Sequence, residues 1–422
     1  VFNNKYSIVR LDLEKGLINI HYDKSGNGNF YIWEERKKTD AKNYKSFSID
    51  LEKIVLTDMG LTYLDPKSDL RLDFQIGKMV ANGKFVNKQS ALNLNYDLLV
   101  NEIDIERNIY LKNQNVIGNL ALLADSSHYE IANGSIKTGG VVFDISGSFD
   151  ITNSKDSYCD LALMLNGKRL KLRSILDLLP NQEILEHYTI SGKSDIQIEV
   201  DGLIGKGKTP SVQIAYHTSE AKIKMDSINF ELSGINMEGL YQFLPGIDKN
   251  MHEVKSCIFQ ARIGSDIIKG KFRIWDFPNP QINLELSGKL NLKNLKSTNF
   301  PGLDSLLILN GDIEIEGALK GPINAFANKK PYLQNVLEIS GILILHQVDV
   351  QIREGSLPIK INDGELVLNN NDVFVEKLVA MVKSNRLVID GYFKNVVPFY
   401  LSENQHLLID ATVKSEKIDL NE

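Results

Sequence analysis

Hydrophobic and polar residues alternate along almost the whole chain. Ile18-Ile20-Tyr22, Leu70-Leu72-Phe74-Ile76, Leu92-Leu94-Tyr96-Leu98, Ile196-Ile198-Val200, Val212-Ile214-Tyr216, Ile282-Leu284-Leu286, Ile313-Ile315 and Val348-Val350-Ile352 each set an apolar side chain at every second position. Successive side chains of a strand point to opposite faces, so each run predicts a strand with one apolar and one polar face. That is the pattern of a half-buried antiparallel sheet. Turn-forming residues punctuate the runs: Gly26-Asn27-Gly28-Asn29, Asn133-Gly134, Asn166-Gly167, Asp201-Gly202, Asn310-Gly311 and Asp363-Gly364. They supply the positive φ of hairpin turns and predict a meander. Helical spacing is confined to two short stretches, Leu172–Leu179 before Pro180 and Met237–Leu244 before Pro245.

A weak repeat overlies the alternation. Gly83-Lys84-Phe85, Gly147-Ser148-Phe149, Gly270-Lys271-Phe272 and Gly391-Tyr392-Phe393 each precede a strand-like run that breaks and resumes. One supersecondary unit stacked several times produces such a pattern, as does any long meander by chance. A chain of 422 residues has room for several domains or for one array. The expected division is an N-terminal β region, 1–146, and a repetitive C-terminal β region, 147–422, with short helices near 172–187 and 237–244.

Composition narrows the classes. With 43% hydrophobic and 24% charged residues the chain buries apolar surface, and disorder is excluded. A net charge of -6 argues against a nucleic-acid partner, which calls for a basic face. Cys159 and Cys257 form no C-x-x-C pair and indicate neither a metal site nor a disulfide framework. No stretch reaches the ~18 apolar residues of a membrane-spanning helix. The chain opens on Val1 and alternates by Ile18, so an upstream segment, which could include a membrane anchor, is expected.

Two motif strings match on paper. Gly202 to Thr209 fits G-x-x-x-x-G-K-[ST], but Pro210 follows at once and a strand resumes at Val212, so the helix that would present its N–H groups to a phosphate is missing. A hairpin loop is the better reading. Asp23 to Glu34 has the spacing of an EF-hand loop, yet strand-like runs flank it and only Asp23 and Glu34 bring charge, so a hairpin tip is again favoured over calcium. Neither H-E-x-x-H nor G-x-S-x-G occurs, the seven histidines are scattered, and the close carboxylates Asp12/Glu14 and Glu34/Glu35 read as solvated. No catalytic residue, metal or cofactor is expected, and the chain is not expected to be an enzyme.

The order of elements resembles the AsmA-like family of bacterial envelope proteins. The resemblance rests on the glycine-asparagine turn before Phe30-Tyr31-Ile32-Trp33, the amphipathic stretch Phe47–Tyr63, the short helix and proline of Leu172–Pro180 followed by Ile190–Val200, and Gly311–Gly317. It implies a periplasmic β-groove held to the inner membrane by an N-terminal segment that this chain lacks. It also implies help in moving phospholipid between inner and outer membranes, with proteins of both membranes as possible partners.

Together these readings predict a mainly β chain, an elongated, curved antiparallel sheet array or β-groove with a few short helices. One apolar sheet face needs a cover, and two or three short helices cannot supply all of it. The acyl chains of phospholipid or another lipid could. The expected lining is Leu70, Leu72, Phe74, Leu92, Leu94, Ile196, Ile198, Val200, Ile282, Leu284, Leu286, Ile313, Ile315, Val348 and Val350. A non-enzymatic scaffold or assembly factor for outer-membrane proteins, engaging them by strand addition, is the alternative. A carbohydrate-active β-solenoid enzyme is a third, disfavoured by the two tryptophans, Trp33 and Trp275, and the lack of an acidic cluster.

Overall fold

A computed structural model describes residues 5–23, 28–29, 48–66, 69–85, 89–105, 108–125, 127–152, 158–178, 187–205, 208–225, 230–246, 250–297, 303, 306–323, 337–352, 354–401 and 406–418. Among them are twenty-two strands, all assigned to one hydrogen-bonded sheet, and three helices of five or six residues. The class is mainly β with a few short helices, as the alternation predicts. The chain divides into two units: residues 1–182, 195–214 and 244–249 form the first, and 183–194, 215–243 and 250–422 the second. The expected boundary between 146 and 147 falls inside a strand, where Ser146 and Gly147 pair with Met164 and Leu163 without a break.

The first unit opens on three short strands, β1 (Lys5–Ile8), β2 (Leu11–Glu14) and β3 (Leu17–His21), which pair in turn along the single long strand β4 (Ser48–Asp65). All three pairings are parallel. The sheet is therefore mixed, a correction to the antiparallel expectation: a parallel partner needs a long crossover, and residues 22–47 intervene here. From β4 onward the chain is an antiparallel meander through β5 (Leu70–Phe85), β6 (Gln89–Ile105), β7 (Asn108–Asp125), β8 (His128–Thr138), β9 (Val141–Thr152) and β10 (Tyr158–Lys171). Helix α1 (Leu172–Leu176) closes this run. Strands β11 (Tyr188–Gly205), β12 (Ser211–Met225) and β13 (Phe230–Leu244) contribute residues to both units.

The second unit continues with β14 (Met251–Ile263), β15 (Asp266–Trp275), β16 (Gln281–Asn291), helix α2 (Leu292–Ser297), β17 (Ile308–Pro322), β18 (Glu338–Gln351), β19 (Ile359–Asn369), β20 (Asp372–Val382), β21 (Asn385–Lys394), helix α3 (Val396–Leu401) and β22 (Leu408–Lys414). From β14 each strand is antiparallel to the next.

Several local expectations are corrected. Met237–Leu244 is not helical but the second half of β13. Its helical spacing is outweighed by Tyr241 and Phe243, aromatic residues at alternate positions that favour a pleated strand. The helix expected near 172–187 ends at Leu176, and 179–186 lie outside the described residues. Asn133-Gly134, Asn166-Gly167, Asp201-Gly202, Asn310-Gly311 and Asp363-Gly364 are not turns: all five lie within strands. Register shifts accompany Gly134 and Gly311, so the pairs mark bulges and close backbone approaches. Strands consequently run through them and reach 18 residues, fewer and longer than the spacing of turn signals implied.

The glycine-x-aromatic strings share one structural role. Gly83, Gly147, Gly270 and Gly391 pair with Leu92, Leu163, Leu286 and Ala411 on the following strand. At Gly147, φ is +132° and a Cβ would meet the Ala162 carbonyl oxygen, so no other residue fits without moving the neighbouring strand.

Candidate functional site

Register places the side chains row by row, because directly paired residues share a face. In the first unit Leu92 stands opposite Leu122, Leu122 opposite Ile131, and Ile131 opposite Gly147. The next row runs Ala81, Leu94, Leu120, Gly134, Ile145 and Leu165. A third runs Met79, Tyr96, Gly118, Ile136 and Phe143. The other side of the same strands carries Asn95, Asn119, Ser135, Asp144 and Asn166 in one paired row. The sheet here has an apolar and a polar face.

Part of the apolar face is covered. Val141, Phe143 and Leu170 form a buried cluster against which Ile175 of α1, Leu178, Ile196 and Ile198 pack. Away from that cluster, Leu92, Leu94, Leu120 and Leu122 are only half-buried. Burial also raises the Tyr96 phenol above its ordinary value on this face.

The second unit repeats the arrangement. Leu286, Gly317, Gly341, Leu368, Val373 and Phe393 form one paired row. Leu284, Leu319 and Ile339 flank it on one side, and Ile315, Leu343, Leu366 and Val375 on the other. Helix α2 covers one end, where Leu292 and Leu295 pack with Leu309, Leu345, Val348 and Leu378. Its capping explains its position: the Asn291 side-chain oxygen accepts from the backbone N–H of Lys293 at 3.2 Å and of Asn294 at 3.3 Å. Between the flanking rows lies an apolar pit of about 200 Å³ over Gly317 and Gly341.

The opposite face of these strands is charged. Lys271 pairs with Glu285 at 2.8 Å, Lys289 with Glu314 at 3.0 Å, and His346 with Asp363 at 3.1 Å. The hydrogen bond and charge of Lys289, with a smaller effect of His346, hold the Glu314 carboxyl below its usual range. Such exposed pairs add little stability but keep that face wet.

The expected lining residues thus divide. Leu72, Phe74, Leu92 and Leu94 in the first unit, and Ile282, Leu284, Leu286 and Ile315 in the second, are half-buried residues of the apolar faces. Val200 is also half-buried, two positions beyond Ile198 on β11. Ile196 and Ile198 belong to the α1-covered cluster, and Ile313, Val348 and Val350 to the α2-covered one. Leu70 is buried, opposite Asp65. Sequence reasoning missed Leu120, Leu122, Leu319, Ile339, Leu343 and Leu368. In β18 the signal is hidden because Ile342 and Ile344 are apolar on the other face as well.

Among the described residues no three His, Cys, Asp or Glu side chains are placed to hold a metal ion. Gly205 and Lys208 form an antiparallel bridge and Ser211 begins strand β12, not a helix, while 206–207 of the P-loop-like string lie outside the described residues. Tyr22 bridges Gly28 likewise, while 24–27 and 30–34 of the EF-hand-like string lie outside the described residues. Cys257 is fully buried and hydrogen-bonded to Tyr216; burial raises both groups above their ordinary values, and the bond to Cys257 raises Tyr216 further. Cys159 is a second free thiol. No helix among the described residues is long and apolar enough to cross a membrane. No family model matches the chain, and no curated protein or solved structure shows significant similarity to it.

Proposed function

We propose that the apolar faces hold the acyl chains of lipids, and that the protein serves phospholipid transport between the membranes of a two-membrane cell envelope without being an enzyme. The observation that carries this reading is a contrast within the apolar face of each unit. Where α1 or α2 lies on the sheet, Val141, Phe143, Leu170, Leu309, Leu345 and Val348 are buried; on the open rows Ile131 and Ile145 are buried as well, but Leu92, Leu94, Leu120 and Leu122, and Leu284, Leu286, Leu319, Ile339 and Leu343, directly paired across several strands, stay half-exposed. Each methylene removed from water is worth about 0.8 kcal/mol, so a sixteen-carbon chain lying along such rows gains up to roughly 12 kcal/mol without any specific polar contact. Headgroups would remain in water. A periplasmic location and partner proteins in the inner and outer membranes are suggested by the AsmA-like resemblance alone.

The test is substitution on the open rows. Leu284→Asp with Leu286→Asp places two charges on the acyl path and leaves the paired backbone intact. The expected result is loss of lipid transfer between donor and acceptor vesicles with an unchanged β-type circular dichroism spectrum. Undiminished transfer by that folded variant contradicts the proposal.

A further inference from the structure

The pit over Gly317 and Gly341 differs from the rest of the face. The two glycines pair directly across β17 and β18, with Leu286 beyond Gly317 and Leu368 beyond Gly341 in the same row. Two adjacent positions therefore lack a side chain, while Leu284 and Leu319 rise on one side and Ile315 and Leu343 on the other. The backbone does not demand both glycines. Neither has a left-handed φ, and a Cβ on Gly317 would lie 3.2 Å from the Ser340 carbonyl oxygen, a contact relieved by a shift of a few tenths of an ångström. On Gly341 it would approach the Glu316 carbonyl oxygen at 2.8 Å, so only that position is sterically closed. Gly317 keeps open a space that alanine could begin to fill.

We infer that this pit is a fixed seat for the end of one acyl chain, a place where a chain lodges on a face along which it otherwise slides. The inference rests on the lipid-binding reading above. Its wall side chains are aliphatic, and about 200 Å³ accommodates roughly six or seven methylene-sized groups at ~30 Å³ each. A peptide strand laid on the pit would bury its own N–H and C=O groups without partners. A helix, ~10 Å across, is too broad to enter and could insert only one side chain. A methyl-ended hydrocarbon chain brings no polar group at all.

The test uses palmitate carrying a terminal diazirine, photolysed on the full chain and mapped by peptide mass spectrometry. Insertion is expected to concentrate on Leu284, Leu286, Leu319 and Leu343. It is expected to fall at least tenfold in Gly317→Val, which fills the pit, and in Leu343→Phe, which narrows it from the wall without touching a glycine. Glu314→Gln, on the opposite face of the same strand, should leave it unchanged. Insertion spread evenly along the face and unaffected by the filling variants overturns the seat while leaving the groove reading standing. Absence of bound palmitate in the unsubstituted protein overturns both. Displacement of the probe by an apolar helical peptide, with no lipid competing, overturns the acyl assignment in favour of a protein partner.

Discussion

Tyr96 lies across Gly118. The two pair directly between β6 and β7, and the Tyr96 hydroxyl donates to the Ser135 carbonyl one strand further on, at 3.3 Å. A tyrosine on the apolar face thus satisfies its polar end by reaching over a position without a side chain, and Gly118 lies tightly between Tyr96 and the Ser135 backbone.

This geometry separates a side-chain effect from a backbone one. Tyr96→Phe should cost about 0.5–1.5 kcal/mol, the worth of one hydrogen bond. Gly118→Ala should cost more, about 1–3 kcal/mol, because its Cβ meets the Ser135 carbonyl, which cannot rotate away. Adding Tyr96→Ala should not rescue Gly118→Ala. Chemical denaturation checks all three, and rescue would mean that the tyrosine ring alone fills the space.

Covered and open parts of one face should respond differently to truncation. Phe143 is 7% exposed beneath α1, and Phe143→Ala should destabilise by about 3–5 kcal/mol. Leu122→Ala, on a half-exposed row, should cost distinctly less than the 2–5 kcal/mol typical of a buried leucine. Equal losses in denaturant titrations would show that the open row is covered in solution.

His252 links pH to stability in the second unit. Its Nδ1 is 2.9 Å from the Tyr241 hydroxyl, the Phe243 and Phe277 rings lie against it, and burial lowers its pKa. The charged neighbour Glu253 pairs with Arg273 instead. With the folded value below the unfolded one, about 6.5, this contribution is complete above pH 6.5 and shrinks as the pH falls from there toward the folded value. Thermal unfolding at pH 7.0 and 5.5 should therefore show a loss on acidification that His252→Phe reduces. An unchanged pH dependence in the variant would remove His252 from the account.

Alternation made the strands legible: Leu92, Leu94, Tyr96 and Leu98 all fall on one face of β6, as their spacing predicts. It could not show which rows are covered. That depends on short helices such as α2, whose signal was one capping residue, Asn291, before Leu292 and Leu295. Asn310-Gly311 was misread because a bulge and a hairpin turn ask the same of a glycine: Gly311 has φ +107° inside a continuous strand. The parallel pairing of β1 to β3 with β4 had no local signal, since it joins residues more than forty positions apart.

The central claim is that the open apolar faces carry lipid. Detergent-free extraction followed by native mass spectrometry counts what remains bound. The account predicts several phospholipids per chain, reduced by charged substitutions at Leu284 and Leu286; a lipid-free chain, with and without those substitutions, would contradict it and favour the scaffold reading.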